Sequence, residues 1–208
     1  MKKVLIALLM FICVFGTLGS AQAIVLSPGT SIGSASQTIA SYATSTTLID
    51  SIIGQSWSHN LITGTINAWV YRDNSDGNLI FAYQVMNGAT SGNGLSALTT
   101  TSFANYTTYA AYESVTGGIS PLTFDRSSGA GSTVGFRFGF EAIPAGNTSD
   151  ILWVKTNTPY YGIGETSIIN GGAVNVNTFA PTVPEPGSLM LLGMGILGLF
   201  GLGKKRKI

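Results

Sequence analysis

Alternation of apolar and polar positions dominates the middle of this chain. Val134, Phe136, Phe138 and Phe140 fall on one side of an extended segment, with Thr133, Gly135, Arg137, Gly139 and Glu141 on the other. A period of two residues is the strand signature. Residues 79–86 differ, because Leu79, Phe81, Tyr83 and Val85 alternate with Ile80, Ala82, Gln84 and Met86. Apolar residues on both sides predict a strand buried on both faces. Residues 62–72 precede it, and the break from Asp73 to Asn78 contains Asp76-Gly77, a strong hairpin signal. Further strands are expected at residues 151–156, near Thr166 and near Ala173, with Asn170-Gly171-Gly172 as a tight turn between the last two. Trp69 and Trp153, each in mid-strand, are expected to be buried.

The N-terminal part is plainer. Residues 36–53 are rich in Ser and Thr and read as extended, and 24–60 as a loosely packed strand pair. No stretch shows a convincing amphipathic helix, and no repeat is visible. Many short strands separated by turn signals predict an all-β fold, an antiparallel β-sandwich ectodomain, with a closed barrel as the alternative.

Both ends follow a different pattern. Lys2 and Lys3 precede an apolar run from Val4 to Phe15, and Ala21-Gln22-Ala23 then offers a small-x-small cleavage site. This pattern predicts a signal peptide helix over residues 1–23, handled by the Sec machinery and signal peptidase, with Ile24 as the first mature residue. At the other end, Pro184-Glu185-Pro186 is followed by an apolar, Gly-rich run over 187–203 and the basic cluster Lys204, Lys205, Arg206 and Lys207. A helix over that run would be roughly 25 Å long, near the lower limit for a bilayer core. It is therefore expected to be a transmembrane helix with residues 204–208 as a cytoplasmic tail. The ectodomain is expected over 24–180, joined to the membrane by a Pro-rich stalk over 181–186, with 178–180 already extended towards it.

The tail closely resembles the PEP-CTERM sorting signal in its proline motif, apolar segment and basic cluster. The resemblance implies an exosortase as partner, cutting near Pro184-Glu185-Pro186. It also implies a route from an inner-membrane-anchored intermediate to the cell surface or extracellular matrix of a Gram-negative bacterium, with a link to exopolysaccharide and biofilm. The order of motifs over 62–182 resembles a recurrent ectodomain of PEP-CTERM proteins that has no assigned activity.

Composition narrows the chemistry. Only 9% of residues are charged, so Ser, Thr, Asn and Gly must supply most of the polar surface. Six of the ten cations lie in the two ends. From Ile24 to Val183 four cations face eight anions, a net charge of −4 with no basic patch, which sets nucleic acid aside. The single cysteine, Cys13, lies inside the signal peptide, so disulfides and thiolate chemistry are excluded from the mature domain.

Candidate sites are correspondingly thin. His59 is the only histidine, and Ser56 and Ser58 lie too close to it along an extended chain to form a nucleophile–base pair. Glu113, Glu141 and Glu165 are the candidates for a paired-carboxylate glycosidase, yet no motif joins any two of them. No catalytic residue is assigned. Asp73 and Asp76, in a loop of oxygen donors, suit a weak calcium site, although the spacing departs from calcium-loop patterns and a solvated turn is the simpler reading. No other cofactor is expected. Among the aromatics, Trp57, Tyr106, Tyr109 and Tyr112 read mainly as core, while Tyr160-Tyr161 beside Pro159 is the expected exposed pair for stacking a sugar. A non-enzymatic surface protein is the leading expectation; a carbohydrate- or calcium-binding module and a glycan-active enzyme are its alternatives.

Overall fold

The computed structural model describes residues 22–183 apart from positions 44 and 141. Residues 1–21 of the expected signal peptide, the expected stalk from Pro184, the apolar run over 187–203 and the tail lie outside the described residues, as do Glu141 and Ala21 of the expected cleavage site. Ala23 is described; its N–H donates to Gln37 Oε1.

Fourteen strands form two sheets. In chain order they are β1 (Ile24–Val25), β2 (Ser31–Gly33), β3 (Thr46–His59), β4 (Ile62–Asp73), β5 (Leu79–Asn87), β6 (Ala97–Thr100) and β7 (Thr108–Glu113). They continue as β8 (Gly118–Ile119), β9 (Thr123–Arg126), β10 (Val134–Arg137), β11 (Thr148–Ser149), β12 (Ile151–Thr156), β13 (Tyr161–Ile169) and β14 (Ala173–Pro181). The first sheet runs β1–β7–β12–β5–β4–β3, with short β11 also on β5 and β8 parallel to β11. The second runs β14–β13–β6–β10–β9–β2. Every other strand pair is antiparallel. This is the expected all-β sandwich.

Its core lies between the sheets. Ile66, Val70, Phe81, Tyr83, Leu152 and Val154 from the first sheet meet Leu98, Phe124, Val134, Phe136 and Ile168 from the second. Phe124 and Phe136 are cross-strand partners packed edge to face at 5.5 Å, a favoured aromatic geometry. The buried Tyr83 hydroxyl donates to Phe179 O at 2.7 Å and accepts from Thr100, so this polar group links both sheets.

The hairpin of β4 and β5 forms as the Asp76-Gly77 turn requires, with Gly77 at φ 74° and Arg72 paired to Leu79. In β5, Gln84 is half-buried and Met86 exposed, but both faces are buried from Leu79 to Tyr83, because residues 34–43 cross the outer face of the first sheet. There Ile39 and Ala43 cover Ile80, Ala82, Ala111 and Trp153.

Four expectations need correction. Residues 39–42 are not extended. Thr38 caps a helical turn, α1 (Ile39–Tyr42), by accepting from Ser41 N, and the Glu113 carboxylate accepts from Ile39 N. Residues 24–60 are not a strand pair either, since β1 joins the first sheet, β2 the second, and β3 is a 14-residue edge strand on β4. Phe140 does not share the buried face of Phe136 and Phe138. Gly139, at φ 94°, turns the chain and leaves Phe140 90% exposed. Trp69 is half-buried rather than buried, whereas Trp153 is fully enclosed. At the C-terminal end β14 runs through Pro181, so residues 178–181 are extended, as expected, and pair with β13.

Candidate functional site

Of the carboxylates considered for catalysis, the two described, Glu113 and Glu165, do not converge. Glu113 caps α1 on the first sheet, and Glu165 is exposed on the second. His59 is half-buried, with Nε2 3.0 Å from the Asn60 side-chain amide, while Ser56 and Ser58 face outward on the same strand. Among the described residues no three His, Cys, Asp or Glu side chains gather to hold a metal.

Tyr160 and Tyr161 are also separated. Tyr161 opens β13, and Tyr160 lies just before the strand. Tyr161 packs edge to face on Phe179 at 5.7 Å, and its hydroxyl donates to Asp50. Tyr160 is 51% exposed, so the two rings do not form one platform.

Asp73 and Asp76 do come together, on a lysine. Lys155 Nζ lies 2.5 Å from Asp73 Oδ2 and 2.8 Å from Asp76 Oδ2. Asp73 Oδ1 accepts from Ser75 N and Oγ, and Asp76 Oδ1 accepts from Asn78 N. Burial opposes the charge on Asp73, but hydrogen bonds from Lys155 and Ser75 outweigh it and hold the carboxyl below its ordinary pKa. Asp76 is lowered in the same way. Desolvation likewise works against the ammonium, and its two carboxylates still raise it above an ordinary lysine. The cation between the two aspartates is therefore the chain's own. Sequence reasoning missed Lys155, although a signal existed: it follows Trp153 by two residues on a strand whose both faces are apolar. A lysine there must find a partner.

Around this triad opens a cleft of about 360 Å³ lined by Tyr42, Asp76, Asn78, Thr107, Tyr109, Lys155, Thr156 and Asn157. Strand pairing decides its membership. Lys155 is opposite Tyr109 on β7 and Ile80 on β5, so all three share the outer face. Helical turn α1 then lays Tyr42 over them, with Lys155 Nζ 5.4 Å from its ring centre and the Tyr109 ring 6.1 Å away. Asn157 Oδ1 anchors the rim by accepting from Thr107 N. Half-buried aromatic rings beside a carboxylate and amides are the groups that engage sugar faces and hydroxyls.

A second cation, Arg126, is 5% exposed and has no carboxylate partner. Its Nε donates to Gly131 O, Nη1 to Leu26 O and Thr108 Oγ1, and Nη2 to Phe103 O and Tyr106 O. All five donors are used.

Similarity to known proteins bears on the segment after β14. A family model for the PEP-CTERM protein-sorting motif matches residues 182–207. The chain carries this sorting signal. It begins at the residue after Pro181, the last of β14, and takes in Pro184-Glu185-Pro186 and the basic cluster. The signal marks an exported protein sorted by an exosortase. Among the described residues no helix is long and apolar enough to cross a membrane; the apolar run inside the motif lies outside them. Searches of curated proteins and of solved structures found no match.

Proposed function

We propose that the domain is a non-enzymatic structural or adhesive protein of the cell surface or extracellular matrix of a Gram-negative bacterium, kept there by contact with exopolysaccharide. The observation that carries this reading is the junction at Pro181. The sorting motif begins one residue past the last paired strand, so delivery acts on the folded sandwich as a unit. Export through Sec, removal of residues 1–23 and an inner-membrane intermediate before exosortase cleavage belong to the same proposal.

The dispersal of Glu113 and Glu165 supports a binding role over catalysis. A calcium ion between Asp73 and Asp76 would have to displace the Lys155 ammonium, so the domain works without metal on this reading.

Two measurements test it. Cells expressing the chain without residues 184–208 are fractionated, and the expected result is loss of the protein from the surface and matrix. In parallel, the full chain in a sugar-free zwitterionic detergent is titrated with the host's exopolysaccharide, with and without calcium. Calcium-independent heat of binding is expected, without polymer turnover in the wild type or in Glu113→Gln, Glu141→Gln and Glu165→Gln. Turnover lost in any one of these variants would establish an enzyme instead.

A further inference from the structure

We infer that the glycan contact is made in the Tyr42–Tyr109–Lys155 cleft, and that the cleft takes amino-bearing sugars first, neutral sugars next and acidic sugars last. The inference rests on the glycan reading above and gives it a place and a chemical class.

The distribution of charge across the domain points to this order. An acidic polysaccharide needs free cations, and the described residues hold almost none. Arg126 commits its five donors to backbone carbonyls and one hydroxyl. Arg137 is locked bidentately on Asp125, at 2.7 and 3.1 Å, and Lys155 lies between two aspartates. Among the described residues this leaves Arg72 as the one cation outside an ion pair or a buried hydrogen-bond shell. A uronate would find no unpaired cation at the cleft.

Inside the cleft the balance is negative. Asp73 and Asp76 contribute two carboxylates against the single ammonium of Lys155. Asp73 is sealed, but the Asp76 side chain is 41% exposed and faces the opening. Each of its oxygens accepts one protein hydrogen bond, which leaves lone pairs for a ligand. A sugar ammonium or hydroxyl donates to the lone pairs that Lys155 and Asn78 leave open on this carboxylate, while the rings of Tyr42 and Tyr109 offer apolar walls to the sugar's C–H face. Asn78 and Asn157 stand beside them. By contrast, the cleft of about 390 Å³ next to Arg126 presents a guanidinium with no donor left for a ligand.

The test ranks three probes on the full chain in sugar-free detergent by calorimetric titration: glucosamine oligomers with free amines, neutral gluco-oligosaccharides and oligouronates. The expected order of affinity is amine, neutral, uronate, with at least a tenfold gap between first and last, about 1.4 kcal/mol. Added salt should shrink the amine preference and leave neutral binding in place. Asp76→Asn should bring amine and neutral affinities together, and Tyr109→Ala should weaken both about tenfold or more. Because the ranking is read on the unmutated chain, it stands even if the tyrosine variant misfolds. Oligouronates binding as tightly as the amine series, or an amine preference that survives Asp76→Asn, overturns the inference and leaves the glycan reading intact. Failure of all three probes together with the host exopolysaccharide removes the glycan reading itself.

Discussion

Arg126 and Lys155 are both buried cations, yet they are neutralised in opposite ways. Arg126 meets four backbone carbonyls and a hydroxyl, drawn from the N-terminal segment, the loop after β6, β7 and the β9–β10 connection. Lys155 meets two carboxylates and a tyrosine ring. In the first arrangement no donor is left over, so its role ends in holding loops together. The second has one sealed partner and one exposed partner, and it opens onto a cleft. Burial alone therefore does not mark a functional charge. What distinguishes the two sites is whether the hydrogen-bonding shell is closed.

The largest effect is expected at the closed shell. Arg126→Met removes five hydrogen bonds, leaving Gly131 O and Tyr106 O without the guanidinium while Leu26 O and Phe103 O keep a second donor, and should cost about 4 kcal/mol. In a domain of this size that lowers the melting temperature by roughly 8–16 °C. Thermal unfolding followed by near-UV circular dichroism reads the shift, and a loss under about 1 kcal/mol would mean that water replaces the guanidinium freely. Arg126→Lys should recover little, since an ammonium has three donors where five acceptors wait.

Asp73→Asn comes next, at about 2–3 kcal/mol, because Lys155 keeps Asp76 but loses its buried partner. Urea unfolding of the two variants ranks them, and Asp73→Asn costing more than Arg126→Met would reverse the comparison.

Acid titration sharpens the contrast. The carboxyls of Asp73 and Asp76 are held below their ordinary range in the folded state. Their contribution is complete above the unfolded value near 3.9 and is lost as pH falls through the lower folded values. Lys155 is raised, so its contribution is complete below about 10.4 and fades as pH climbs past the folded value. Stability from the triad should thus be level between about pH 5 and 9 and fall on both sides. Asp73→Asn should flatten the acid limb, while Arg126→Met should keep it, since a guanidinium does not titrate there. An unchanged acid limb in Asp73→Asn would detach the triad from acid stability.

The smallest change is expected at the exposed pair. Arg137→Ala breaks the Asp125 bridge, whose side chains are 44% and 27% exposed, and should cost under about 1 kcal/mol. A loss comparable to that of Asp73→Asn would show that exposure does not set the scale.

Much of the sandwich was legible in the residues. The β4–β5 hairpin follows from Asp76-Gly77 between two apolar runs, and the β13–β14 hairpin from Asn170-Gly171-Gly172. Leu79 to Tyr83 does form a strand covered on both faces, whereas the outer face opens at Gln84 and Met86. Legibility failed where a single backbone angle or a distant segment intervened. Phe140 continues the pattern of Phe136 and Phe138 on paper, but the positive φ of Gly139 breaks it. The Ser- and Thr-rich stretch around Thr38 gains a helical turn because Thr38 caps it and the Ile80–Trp153 surface receives Ile39 and Ala43. Tyr160-Tyr161 looks like a pair in one dimension, but Tyr161 packs on Phe179 at the start of β13 while Tyr160, just before the strand, stays exposed.

Residue order by itself determined the strands, their turns, the dearth of mobile charge and the sorting signal at residues 182–207, because alternation, turn chemistry and a linear motif are properties of neighbours along the chain. Only the tertiary structure decided that Tyr42, Asp76, Tyr109 and Lys155 share one cleft and that Arg126 is sealed. Those meetings depend on which strands pair, and on the path of residues 34–43 across the outer face of the first sheet. Such contacts join residues a hundred or more positions apart, as between Leu26 and Arg126 or Gln37 and Trp153, and no local pattern encodes them.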